Sequence, residues 1–564
     1  NTYWSWSQQL PFKPGPDFIS FIQGPGALSQ KLRERWLYEL ARTKDWANYA
    51  QYYQYSNDLT LICYYQIAQY NLGQQKQVAQ TVVDLWLSGD NRPPVCNALF
   101  DLLLKDGSFS QDLITKRIAL ALEKRNIGLA QSLLKQYQPP HTKELQTLNA
   151  IVQNPARINQ LSTGELADEF YLYGLKRLVS TNMKQAVTYW NAPKTKRILN
   201  EAEQQAFLTH LTLYKAMRNS EDALSWFSQI KPQYYTEILV DWQIRFALKN
   251  RDWNQVNILI NNSSNKDSPC WQYWLARSLE EQGKKAEALA IYEPLSRSRQ
   301  YYGFLASIRL NKTPSFENEK PTSNLDTIKA YKPFIDQVKN LYTSKQSLQA
   351  SRMLNDFISE LPKDEASALV YWVDSELQWH GKSVYLSNND ILNNQLSLRF
   401  PLAYQDAIKQ YSKHYAVPPE FVYAIIRQES GFREDVTSSA GARGLMQVMP
   451  RTASLVSKAD KIPYQDQRQL FISQKNINIG IAYLKQLGKR FSNHPVLIAA
   501  AYNAGPKQVV YWLKTHPPKE IDVWIETLPW QETRNYLKNV MAFYVVYQYR
   551  LNQKPNLEHF LEPL

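Results

Sequence analysis

The sequence predicts an all-α protein in three parts: an N-terminal solenoid of helical hairpins, a small helical linker domain and a C-terminal, mainly helical domain. Two observations concern composition. Ala, Leu, Gln, Lys and Glu are abundant and favour helix, while only 18 of the 564 residues are Gly and β-branched runs are short. The third is periodicity: pairs of segments with helical apolar spacing follow one another, separated by short polar turns.

The hairpins are clearest before residue 300. Trp271–Pro294 reads as a helix, a turn at Gly283, a second helix with Ala288 and Tyr292 inward, and a stop at Pro294. Trp242–Ile260 repeats the shape with a turn at Asn250–Asp252, and Leu211–Ile230 with a turn near Asn219. Leu32–Gln54, Leu59–Leu87 and Ile114–Tyr137 are earlier examples. The period resembles, loosely, that of tetratricopeptide-type repeats. Such units cannot bury their apolar faces alone, so they stack into a superhelix. The stretch 310–333, rich in Pro, Asn, Thr and Ser, marks a boundary. The expected division is therefore 1–333 superhelical, 334–399 linker and 400–564 C-terminal domain. Linker helices are expected around Ile335–Tyr342, Ser347–Leu361 and Glu365–Gly381.

A chain of 564 residues exceeds what one core organises. Its 16 Trp and 36 Tyr argue against a disordered chain. A net charge of +14 suits a polyanionic partner, but no nucleic-acid motif is present. No run of apolar residues is long enough to predict a membrane span. The opening Asn-Thr-Tyr-Trp lacks Met and a basic-then-apolar leader, as expected either of a mature exported chain or of an artificially trimmed one. Cys63 and Cys96 lie one hairpin apart and can pair in an oxidising compartment; three free thiols, with Cys270, is the alternative.

The chemistry concentrates in the C-terminal part. In the predicted helix Pro418–Gly431, Val422, Ile425, Ile426 and Glu429 share one face. A carboxyl thus ends an apolar stripe at the negative end of a helix dipole. Burial and dipole both disfavour its charged form, as a general acid requires. The alternative is a rim Glu paired with Arg427 or Arg433. In the following loop, Ser438–Pro450, Gly441 and Gly444 permit close backbone approach, and Gln447 suits an acetamido or hydroxyl group. Asn476–Leu484 reads as a capped amphipathic helix. The helix from Pro495 ends with Tyr502 and Asn503 at the Gly505-Pro506 turn.

The blocks QESGF, SSAGARGLMQVMP, NINIGIAYL and AAYNAGP, in that order, resemble the successive motifs of the lytic transglycosylase domain. The later ETLPWQETRNYLKNVMAFY is similar to the closing segment of the long soluble lytic transglycosylases. The upstream hairpins resemble the same family's ring-shaped superhelical domain. The resemblance implies a lysozyme-like catalytic domain that cleaves the bond between N-acetylmuramic acid and N-acetylglucosamine in peptidoglycan, leaving 1,6-anhydro ends, with Glu429 as acid then base. It implies that Ser438, Gln447 and Met449 line the glycan groove, that Tyr502 hydrogen-bonds near the carboxyl or the acetamide, that Asn503 of the same motif is a substrate-binding residue, and that Glu532 faces sugar or stem peptide. Glu532 pairing with Arg534 or Lys538, and Met449 as plain core, are the alternatives.

No metal or organic cofactor is implied. The implied partners are glycan strands and stem peptides, with cell-wall synthesis enzymes as a further class. No nucleic acid and no integral membrane segment are expected, and the chain is expected to be a monomer. The implied location is periplasmic, which favours the Cys63–Cys96 disulfide. No second carboxylate is assignable, because Glu434, Asp435, Asp460 and Asp466 fall in no motif. Two other functions stay open: a hydrolytic muramidase and a non-catalytic peptidoglycan-binding scaffold.

Overall fold

The structure, a computed structural model, describes residues 2–11 and 13–564. It is all-α: among the described residues the only β pairings are two isolated bridges, Thr437 with Arg443 and Arg443 with Val448. No helix among them is long and apolar enough to cross a membrane. The chain divides into two compact units, Asn1–Tyr214 with Ser225–Tyr234, and Lys215–Leu224 with Tyr235–Leu564.

The first unit is built of helical hairpins. Ala27–Arg42 and Trp46–Tyr52, Leu59–Asn71 and Gln75–Trp86, and Gln111–Glu123 and Ile127–Leu134 are such pairs. Each turn contains one left-handed residue: Lys44, Gly73 and Arg125. In two of these turns a side chain then caps the next helix, Asp45 accepting from the Asn48 N–H and Asn126 from the Leu129 N–H. Cys63 and Cys96 are joined, their Cα atoms 5.2 Å apart, tying Leu59–Asn71 to Pro94–Lys105. Cys270, in the second unit, is a free thiol.

The second unit continues the pattern. Glu237–Lys249 pairs with Trp253–Asn261 through left-handed Arg251, and Pro269–Glu281 with Lys285–Leu295 through Gly283. Ala288 and Tyr292 are fully buried, as expected. Pro294 does not stop its helix but sits inside the final turn. The linker departs further from expectation. Lys332–Thr343 and Ser347–Ile358 form near their expected places, but the expected Glu365–Gly381 helix is two, Lys363–Ser375 and His380–Ser387, with left-handed Gln378 between them. One core then runs from Ile244 to Phe560. Within it the Gln531–Arg550 helix packs along Pro419–Glu429, and also against Tyr301–Arg309 and Pro495–Ala504.

Candidate active site

Glu429 is the last residue of the Pro419–Glu429 helix. Pro419 opens that helix, where a missing N–H costs little. Val422, Ile425 and Ile426 are fully buried, and Glu429 extends their stripe to a partly exposed position at the edge of the core. Ser430 closes the helix through its N–H to the Ile426 carbonyl at 3.0 Å. Gly431 and Phe432, with φ of 56° and 69°, then reverse the chain. Glycine adopts that conformation freely; for Phe432 it costs about 1–2 kcal/mol, offset by burial of the ring.

Neither of the two arginines weighed as partners neutralises the carboxyl. Arg427 donates Nε to the Arg399 carbonyl at 2.8 Å and lies over the rings of Phe400 and Phe543. Glu429 forms no ion pair among the described residues. Burial pushes its carboxyl up to about 7; the Tyr536 hydroxyl opposes this shift and the nearby Glu532 carboxylate reinforces it. Tyr536 Oη is buried and acts on the carboxyl electrostatically, though it stops short of good hydrogen-bond geometry. Sequence reasoning passed over Tyr536. It stands in a segment quoted only as a block, and what singles it out is the packing of its helix along that of Glu429.

The loop after this helix folds back on itself. The Ser438 Oγ accepts from the Ala442 N–H at 3.0 Å. Gln447, left-handed with φ of 50°, spends its Nε2 donors on the carbonyls of Val436 and Gly444 at 3.1 and 2.9 Å. These two bonds use its amide nitrogen and leave its amide oxygen as an acceptor. At Gly444, with φ of 76°, a Cβ would meet the Leu470 carbonyl oxygen at 2.3 Å.

Met446, fully buried, is the pivot of this loop. Its N–H donates to Asn476 Oδ1 at 2.8 Å, and its carbonyl accepts from the Tyr502 hydroxyl at 2.5 Å. Asn476 also donates Nδ2 to the carbonyls of Arg443 and Leu470, both at 2.9 Å. It is therefore not the cap of its helix, as the sequence suggested. The helix runs Ser473–Arg490, and Asn476 sits buried inside it as a clamp on the loop. Gly480, one turn on, leaves room for Met446, since a Cβ there would meet its Sδ at 2.3 Å.

The remaining expected residues differ in how they engage the carboxyl. Tyr502 and Glu532 both act on Glu429 electrostatically. Asn503 Oδ1 accepts from Thr533 Oγ1 at 2.8 Å, next to Glu532 in the chain. Met449 is exposed at the start of the Pro450–Ala459 helix rather than in the core. Glu532 is exposed and pairs with neither expected partner: Arg534 donates to the Leu528 carbonyl, and Lys538 pairs with Glu526. Three other carboxylates are engaged elsewhere. Glu434 accepts from Tyr404 and Ser473, Asp460 from Gln486, and Asp466 pairs with Arg468.

Comparison with known proteins sets this geometry in a family. The description "Transglycosylase SLT domain" matches residues 406–525, and "Soluble lytic transglycosylase helical domain" matches residues 527–556. The soluble lytic murein transglycosylase of Escherichia coli K12 is 28% identical, the match covering 98% of this chain and 87% of that protein. The chain belongs to the soluble lytic transglycosylases. Among solved structures, an inactive mutant of the lytic transglycosylase Slt from Pseudomonas aeruginosa superposes with a TM-score of 0.84 at 28% identity, covering 100% of this chain and 92% of that one. The 70 kDa soluble lytic transglycosylase from Escherichia coli gives 0.78 at 27% identity, covering 99% and 92%. This soluble lytic transglycosylase thus shares with both an all-helical fold with a superhelical part and a lysozyme-like part.

Proposed function

We propose that the protein cleaves the N-acetylmuramic acid–N-acetylglucosamine bond of peptidoglycan without water, leaving a 1,6-anhydro end, with Glu429 as acid and then base. The observation that carries this reading is the Glu429 carboxyl itself. It ends a buried apolar stripe, has no cationic partner among the described residues, and is held up to about 7 by burial. A carboxylic acid of that pKa exchanges its proton readily in both directions near neutral pH.

The steps balance on that one group. Protonated Glu429 gives its proton to the glycosidic oxygen as the bond to the muramoyl C1 breaks. The neighbouring N-acetyl oxygen shares the positive charge at C1 as an oxazolinium. The carboxylate then takes the proton of the muramoyl C6 hydroxyl, whose oxygen closes on C1 as the oxazolinium C1–O bond breaks and the N-acetyl group is restored. Tyr502 and Tyr536, neutral hydroxyls with pKa values held well above the usual range by burial, flank the carboxyl without neutralising it. Ser438, the Gln447 amide oxygen, Met449, Asn503 and Glu532 are the proposed glycan contacts. Residues 1–333, 334–399 and 400–564 serve as superhelix, linker and catalytic domain, with glycan strands and stem peptides as partners in the periplasm.

One observation favours a second reading. Glu532 is a carboxylate without an ion-pair partner among the described residues, close enough to influence Glu429. It is therefore the group that would direct water to C1 in a hydrolytic muramidase. Peptidoglycan digestion separates the two. Products one water lighter than hydrolysis products support the first reading, and hydrated reducing ends support the second.

A further inference from the structure

Across the Gly505 turn from Asn503, the Pro506–Thr515 helix presents two contrasting faces. Val509 and Trp512 are fully buried. Lys507, Val510, Tyr511 and Lys514, spaced i, i+3, i+4 and i+7, share the other face, and all four are exposed. Val510 is 46% exposed and Tyr511 52%. One exposed apolar residue is ordinary, but apolar residues grouped on a solvent face mark a contact surface.

Trp530 approaches the same helix from the catalytic side. Its ring stands at 87° to that of Trp512, with centroids 5.1 Å apart, and it remains 47% exposed. The contact with Trp512 fixes the indole while leaving ring area open to solvent. Trp530 immediately precedes the Gln531–Arg550 helix, which carries Glu532 and whose Thr533 bonds to Asn503. The exposed face is therefore continuous in the chain, at both ends, with two of the proposed glycan contacts.

The apolar pair is bracketed by cations. Lys507 and Lys514 make no ion pair and no side-chain hydrogen bond among the described residues. At 1.5 Å rise per residue they stand about 10 Å apart along the helix. A glycan strand of peptidoglycan offers the complement. Its pyranose rings present C–H faces that pack on aromatic rings, and each muramoyl residue carries a lactyl carboxylate. Exposed ion pairs contribute little singly, so the lysines act together with the rings.

We propose that the exposed face of the Pro506–Thr515 helix, with Trp530, is a distal subsite that holds the glycan strand beyond Asn503 and Glu532. Sugar rings lie on Tyr511 and Trp530, and Lys507 and Lys514 pair with lactyl carboxylates. The subsite makes the protein favour long strands over short fragments. This inference rests on the glycan substrate proposed above, but not on whether the product is anhydro or hydrated.

The test is calorimetric titration of peptide-free glycan strands, and of a tetrasaccharide of the same repeat, into full-length Glu429→Gln, which lacks the acid and so leaves both ligands intact. In that background Tyr511→Ala, and Lys507→Gln combined with Lys514→Gln, are expected to weaken strand binding about tenfold and tetrasaccharide binding by less than about twofold. Added salt should weaken the strand complex of Glu429→Gln more than that of its double-lysine variant. All three positions are exposed, so unchanged melting temperatures separate a lost subsite from a lost fold. Lys409→Gln combined with Lys413→Gln removes the same charge from exposed positions of the Gln405–Tyr415 helix and should leave strand binding unchanged. An equal loss in that control pair would reduce the effect to bulk charge and overturn the proposal. Undiminished strand binding in the face variants also overturns it. So does an equal weakening of strand and tetrasaccharide, which would put these residues at the active site. If neither ligand binds Glu429→Gln, the glycan reading itself falls, and the subsite with it.

Discussion

Tyr502 donates its hydroxyl to the carbonyl of Met446 at 2.5 Å, across 56 residues of sequence. That bond ties the end of the Pro495–Ala504 helix to the loop that follows the Glu429 helix. Tyr502→Phe leaves the buried Met446 carbonyl without its donor, which costs about 1–3 kcal/mol. A lower melting temperature and reduced turnover of purified peptidoglycan are expected together. An unchanged melting temperature would show that the loop does not depend on this bond.

The loop's other anchor gives a sharper case. Asn476→Ala removes the acceptor of the Met446 N–H and the donor to two carbonyls at once. Several unsatisfied buried groups remain, so a loss of roughly 3 kcal/mol or more is expected in denaturant unfolding. Asn476→Asp keeps the acceptor but not the donor, and should fall between the parent and the alanine variant.

The pH dependence follows from Glu429. Its folded pKa, about 7, lies above its ordinary 4.5. The folded state therefore binds more protons than the unfolded state between these values. This contribution to stability is fully present below 4.5, is lost as pH rises through 7, and levels off above it. Glu429→Gln removes the titration. Relative to the parent it should gain stability across that window, by up to about 3 kcal/mol above pH 7. Parallel unfolding curves at pH 5 and pH 8 check the sign. Cleavage by the parent should fall as pH rises above about 7, as the acid deprotonates.

Glu526 is buried and accepts from Trp274 Nε1 and the Tyr302 hydroxyl while pairing with Lys538 at 2.5 Å. Burial works against its charge, but Lys538 and Arg245 outweigh it and hold the carboxyl down to about 2. Its stabilising contribution is present above its ordinary pKa and lost as pH falls towards 2. Lys538→Met strips the carboxylate of its nearest cation. A loss of about 3–5 kcal/mol is expected, read as a large drop in melting temperature at pH 7.

Much of this was legible before the fold. The hairpin turns are written in local chemistry, with Gly283, Asn250–Asp252 and Asn219 where the chain must reverse. Glu429 stood out because its own helix supplies the apolar stripe. What local patterns do not encode are pairings across long separations. Asn476 looks like a cap until the loop 30 residues earlier is seen to bond to it. The Glu526 network draws on Trp274 and Tyr302, 252 and 224 residues away. Tyr536 becomes visible only when two helices pack. The split of the third linker helix has a local sign, Gln378 in the left-handed region, but glutamine carries no turn preference that would announce it.

The most direct test of the central claim is mass spectrometry of muropeptides released from purified peptidoglycan by the parent and by Glu429→Gln. Products lighter by one water than those of a hydrolytic muramidase, absent with the variant, are the expected result. Hydrated reducing ends, or undiminished release by Glu429→Gln, would contradict it.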